Sequence, residues 1–150
     1  MKKEKKPLAV SACLLGQNCK YNGGNNKLPE EVLAQLDKRY RLIPICPEEL
    51  GGLPTPRSPA ERREESVINA EGINVTRQFY DGAAAALHIV KTNHISQALL
   101  KSRSPSCGKG KIYDGTFTGT LIDRDGVTSE CFQNEGITVF TEEELNQLVN

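Results

Sequence analysis

Four short apolar runs, separated by stretches of helical character, constrain this chain more than any other feature. Residues 8–12, 42–45, 98–100 and 137–140 are each too short for an ordinary helix and nearly continuous in apolar character. That is the pattern of strands buried on both faces. Pro29-Glu30-Glu31 opens a helix reaching about Tyr40: Pro suits the first turn, acids oppose the positive helix end, and Val32, Leu33 and Leu36 share a face. A second helix is expected from Arg77 to about Thr92, with Thr76 as N-cap, Phe79, Ala83, Ala86, Leu87 and Val90 at helical spacing, and Asn93 as its stop. A third spans 128–135 and ends at Gly136; Thr141-Glu142-Glu143-Glu144 is a capping box that begins the last. Strands alternating with helices predict a single α/β domain over 1–150: a three-layer, Rossmann-like or flavodoxin-like arrangement with a mostly parallel sheet.

The remaining segments are less patterned. Residues 16–28 are rich in Gly and Asn and read as loop, and 46–57, with three prolines and two adjacent glycines, as a stiff irregular loop. Pro44 interrupts the second strand. The charged stretch 60–66 reads as a solvated helical turn or a mobile segment, 67–75 as a short hairpin around Ala70-Glu71-Gly72, and 112–122 as a second small hairpin.

Charge excludes some functions. Nineteen basic side chains balance nineteen acidic ones, so no global field draws nucleic acid or anionic lipid, and the absence of Trp removes the best stacking platform. Lys101, Arg103, Lys109 and Lys111 read as a solvated rim. Lys2, Lys3, Lys5 and Lys6 precede an apolar run, but that run is short, opens with Pro7 and lacks a small-residue cleavage site, so a frayed basic start over 1–7 is expected rather than a signal peptide. Five cysteines, an odd number, fit a reducing cytoplasm better than a disulfide framework.

Three of those cysteines follow an expected strand: Cys13 in V-S-A-C-L-L-G, Cys46 in C-P-E-E-L-G-G-L-P-T-P-R and Cys107 in S-P-S-C-G-K-G. In open α/β sheets ligands bind beyond the carboxyl ends of the strands, so the three can share one edge. Taken singly each would be a buried small hydrophobe, yet polar Gly/Pro-rich loops are poor places for inert thiols. No C-x-x-C pair and no ferredoxin spacing is present. The residues alone therefore give three loop cysteines on one metal, with two rivals: a zinc or closed iron–sulfur binding module with no catalytic role, and a redox pair of Cys13 with Cys19. Cys131, beside Phe132, reads as core, and His88 and His94 as helix-surface or helix-end residues.

These three motifs, followed by I-Y-D-G-T-F at 112–117, resemble in order the TudS-like thiouracil desulfidases. The resemblance implies a [4Fe-4S] cluster held by Cys13, Cys46 and Cys107, with one iron open to substrate. It implies a hydrolytic, non-redox removal of sulfur from thiouracil or a related thiolated pyrimidine, releasing hydrosulfide. The substrate would be a small thiolated base or nucleoside rather than nucleic acid or membrane, and iron–sulfur assembly machinery would mature the protein. Glu48 matches the proton-transfer acid and Ser104 the second active-site polar residue; Ser106 and Glu49 rank below them, and Ser11 reads as a backbone partner. Cys19 matches no cluster position and is the candidate for a fourth, closing ligand.

Overall fold

The computed structural model describes residues 5–149. In chain order the elements are β1 (Lys6–Ser11), α1 (Glu30–Arg39), β2 (Tyr40–Ile45), α2 (Pro47–Leu50), β3 (Ala60–Arg63), β4 (Ser66–Asn69), α3 (Thr76–Thr92), β5 (Gln97–Leu100), β6 (Ile112–Tyr113), β7 (Leu121–Ile122), α4 (Val127–Asn134), β8 (Thr138–Thr141) and α5 (Asn146–Val149). Short 3-10 turns follow β1 at Ala12–Leu15 and β8 at Glu142–Glu144. The main sheet has the order β2-β1-β5-β8, and every neighbouring pair is parallel. Two antiparallel hairpins, β3–β4 and β6–β7, stand apart from it.

The strand period of two sorts the apolar residues onto two faces. Leu8, Val10, Leu99 and Phe140 point to one, where Leu36 of α1 and Leu148 of α5 cover them. Ala9, Ala98, Leu100 and Val139 point to the other, against Ala86 and Val90 of α3 and Phe132 of α4. Helices on both faces of a parallel sheet make the three-layer α/β architecture that the apolar runs predict. Pro44 fits because β2 lies at the sheet edge, where a residue without an N–H is tolerated.

Three local expectations are corrected and one is met. The charged stretch 60–66 contains β3, which pairs with β4; Arg62 is only 1% exposed, donating to the Glu64 carbonyl at 2.8 Å and the Asp125 carbonyl at 2.9 Å and pairing with Glu130 at 2.7 Å. The expected hairpin over 67–75 is present around Ala70-Glu71-Gly72, with an antiparallel bridge from Ile68 to Asn74, the Asn69 N–H donating to the Ile73 carbonyl at 2.9 Å and the Val75 N–H to the Val67 carbonyl at 2.9 Å; its first arm, β4, also pairs with β3. Residues 47–50 form a helical turn inside the expected irregular loop. Thr76 does not cap α3: its Oγ1 accepts from the Val67 N–H at 2.8 Å, which ties the helix to β4.

At the start, Lys6 and Pro7 are not frayed but register with Tyr40 and Arg41 of β2; the expectation for residues 1–4 falls outside the described residues. Within the basic rim Lys101 pairs with Glu142, Lys109 with Glu144 and Lys111 with Asp123. Among the described residues no helix is long and apolar enough to cross a membrane.

Candidate active site

Cys13 lies in the turn directly after β1, Cys46 directly after β2, and Cys107 in the segment after β5. Because these three strands are adjacent and parallel, all three thiols stand at the carboxyl edge of the sheet. They sense one another: the charge of Cys46 acts on Cys13, and the charges of Cys13 and Glu48 act on Cys107. The three cysteine segments thus lie at the same edge of the sheet, as the topology allows.

Each thiol is held by local structure with a sequence cause. The Cys13 carbonyl accepts from the Asn26 N–H at 3.0 Å and the Gly16 N–H at 3.2 Å, and Asn26 Nδ2 donates to Cys13 Sγ at 3.5 Å. Cys46 precedes α2, and α2 crosses α3 with glycine against backbone: a Cβ on Gly82 would stand 1.9 Å from the Pro47 carbonyl oxygen, and one on Gly51 1.9 Å from that of Gln78. Behind Cys107, Ser104 Oγ accepts from the N–H groups of Ser106 at 3.2 Å and Cys107 at 3.0 Å. The first turn of α4 closes on the same loop, Val127 N–H donating to the Pro105 carbonyl at 2.9 Å and Thr128 N–H to the Ser106 carbonyl at 2.8 Å.

The electrostatics of the thiols fit a metal centre. Burial raises the Cys13 thiol, only partly offset by Asn26, and pushes Cys107 up to about 12 against hydrogen bonds from Ser11 and Ser106. Cys46 is lowered, chiefly by a hydrogen bond from Cys19, while Cys19 is raised by that same bond. Two thiols whose ionisation burial opposes, Cys13 and Cys107, together with Cys46, whose ionisation Cys19 favours, are soft donors that a thiophilic, positively charged centre stabilises as thiolates.

The structure brings Glu48 and the Ser104–Cys107 segment together. Glu48 Oε2 accepts from Ser106 Oγ at 2.9 Å, and Ser106 Oγ lies 3.0 Å from Ser104 Oγ and 3.6 Å from Cys107 Sγ. Ser106, ranked second by sequence, is thus the link between the two residues ranked first. Glu48 Oε1 accepts from Arg57 Nε at 3.1 Å. Arg57 ends the C-P-E motif, but no periodicity or spacing signals its partner. Glu49 faces Thr55 instead. Ser11 Oγ accepts from the Lys101 N–H at 2.9 Å, the backbone role expected of it.

Cys19 is 5% exposed, and its thiol lies beside Cys46 rather than Cys13; Cys19, Cys46 and Glu49 each place a ligand atom within 4.8 Å of the others. This disfavours the Cys13–Cys19 redox pair. Cys131 is half-buried in α4 against the β4–α3 core, away from this edge. All five cysteines are free thiols.

Comparison with known proteins points to one family. A family model described as 2-thiouracil desulfurase matches residues 8–144. The chain is 38% identical to the uncharacterized protein YbbK of Bacillus subtilis (strain 168), over 95% of its own length and 99% of that protein's. It is also similar to a solved [4Fe-4S]-dependent thiouracil desulfidase, TudS, at 44% identity and a TM-score of 0.91, with 96% of this chain and 95% of that one covered.

Proposed function

The chain belongs to the 2-thiouracil desulfurase family, and from that membership we propose that it is a [4Fe-4S]-dependent desulfidase that hydrolyses thiouracil or a related thiolated pyrimidine. The reaction exchanges sulfur for oxygen at one ring carbon: water forms the new carbon–oxygen bond, the carbon–sulfur bond breaks, and the sulfur leaves as hydrosulfide. The carbon keeps its oxidation state, so no external electron donor or acceptor enters.

Cys13, Cys46 and Cys107 would hold the cluster. The observation that carries this is their common position at the carboxyl edge of β1, β2 and β5, with the Glu48 carboxylate hydrogen-bonded into the Cys107 segment. Three thiolates on four irons leave one iron without a protein ligand, and when bound the cluster supplies a soft Lewis acid suited to a thiocarbonyl sulfur.

The protein's own residues handle water and protons. Glu48 is the acid–base group, and Ser104 and Ser106 form a hydroxyl path to it. Arg57 is permanently charged and accepts no proton, so exchange at Glu48 takes place at Oε2, the oxygen that faces Ser106. The partner is a small thiolated base or nucleoside; balanced overall charge offers nucleic acid no attraction, five free cysteines suit a reducing cytoplasm, and cluster insertion would draw on iron–sulfur assembly machinery.

Alanine at Cys13, Cys46 or Cys107 is expected to remove both the cluster and hydrosulfide release, while alanine at Cys131 keeps both. Iron and acid-labile sulfide analysis after anaerobic reconstitution reads this directly. Full turnover by C46A would refute the assignment.

A further inference from the structure

We propose that Arg57 is the positioning residue of this active site: it fixes the Glu48 carboxylate in its working orientation and locks it to the loop that carries Cys19. This inference rests on the desulfidase reading and adds to it a residue that works through Glu48 without touching the reacting atoms.

The side chain of Arg57 is only 7% exposed. Its guanidinium reaches four acceptors: Nε donates to Glu48 Oε1 at 3.1 Å, Nη1 to Thr55 Oγ1 at 2.8 Å and the Pro54 carbonyl at 3.2 Å, and Nη2 to the Cys19 carbonyl at 2.8 Å. Its backbone N–H donates to the Tyr21 carbonyl at 2.7 Å. One residue therefore joins the loop after β1, the start of α2 and the proline-rich segment that follows it.

The consequence for Glu48 is geometric. Each carboxylate oxygen has one donor, and the donors come from different parts of the chain: Arg57 on Oε1, Ser106 on Oε2. Two donors on opposite oxygens stop rotation about the terminal carboxylate bond and fix its plane against the Cys107 segment. Held by Ser106 alone, the carboxylate could swing about that single hydrogen bond. Lysine cannot substitute, because an ammonium presents its donors from one point, whereas the planar guanidinium addresses acceptors along several edges at once. A positioning error of an ångström or so in a catalytic group costs about 10²-fold in rate.

The test uses the full chain, reconstituted anaerobically, with the variants R57A, R57K, E48Q and the double variant R57A/E48Q. Iron, acid-labile sulfide and the visible absorbance of the cluster are measured on each, then kcat and KM for release of hydrosulfide from 2-thiouracil or 4-thiouracil, whichever the wild type turns over faster. R57A is expected to keep a full cluster and a nearly unchanged KM, to lose about 10²-fold in kcat, and to regain part of it with added guanidinium at non-denaturing concentration. In the E48Q background the R57A change should cost almost nothing more, because it acts through the group already removed.

Multiplicative losses in the double variant, or activity and iron lost in equal proportion, would overturn the proposal; the second result would make Arg57 only a brace for the loops. If R57A does not fold, R57K decides: a lowered kcat on a full cluster supports the proposal, and an unchanged kcat overturns it. A wild-type protein with a full cluster but no hydrosulfide release would overturn the underlying desulfidase reading, and this inference with it, before any variant is made.

Discussion

Glu48 shows what one side chain contributes at this sheet edge. Its backbone lies in the single turn of α2, two residues after Cys46, and its carboxylate reaches the loop after β5, so a single residue spans two of the three cysteine segments. E48A should keep iron and sulfide at wild-type levels and lose about 10²–10⁴-fold in turnover, the usual contribution of a positioned acid or base; an unchanged rate would remove Glu48 from the mechanism. Glu142, behind the site, carries a pH dependence of stability. Burial works against its ionisation, but Lys101 at 2.6 Å and the Ser102 N–H at 2.8 Å outweigh it and hold its carboxyl below the usual range. A group lowered on folding stabilises the protein above its unfolded pKa, and that stability is lost as pH falls through the folded value. E142Q should therefore flatten the acid limb of a Tm-against-pH curve; an acid limb identical to that of the wild type would contradict this. At this scale the sequence was partly legible. Cys13, Cys46, Cys107, Glu48 and Ser104 take their expected roles from motifs with a recognisable resemblance, whereas Arg57 and Ser106 stand in the same motifs but owe their roles to contacts with Glu48 across 9 and 58 positions, which no local pattern encodes.

Elements act here through close packing. The crossing of α2 on α3 works because Gly51 and Gly82 carry no side chain, letting helix backbone meet backbone. G82A should push α2, and with it Cys46 and Glu48, away from its place. Overpacking of this kind costs roughly 1–3 kcal/mol, readable by chemical denaturation, and iron retention should fall alongside; normal stability with a full cluster would show that the crossing is slack. The apolar runs gave the four parallel strands and the principal helices because burial on one or both faces writes a period into sequence. Two elements left no such period. β3 reads Ala-Glu-Arg-Arg, and its buried member is Arg62, held in part by the Asp125 carbonyl and Glu130, both far along the chain. α2 is a single turn within a run of Pro and Gly, too short to show a face.

For the whole molecule, topology is the main cause of function. The order β2-β1-β5-β8 puts β1, β2 and β5 side by side, so the segments that carry Cys13, Cys46 and Cys107 leave the sheet at one edge while helices cover both faces. Three thiolates rather than four make an iron–sulfur centre chemically open, which separates a sulfur-removing enzyme from an electron carrier. The most direct test is to reconstitute the protein anaerobically, measure iron and acid-labile sulfide, and follow hydrosulfide and pyrimidine product from 2-thiouracil and 4-thiouracil with no reductant or oxidant present. The account predicts about four irons and four sulfides per chain, and hydrosulfide and uracil formed in equal amounts over many turnovers. A full cluster that yields neither product, or product formation that stops without an added electron donor, would contradict it.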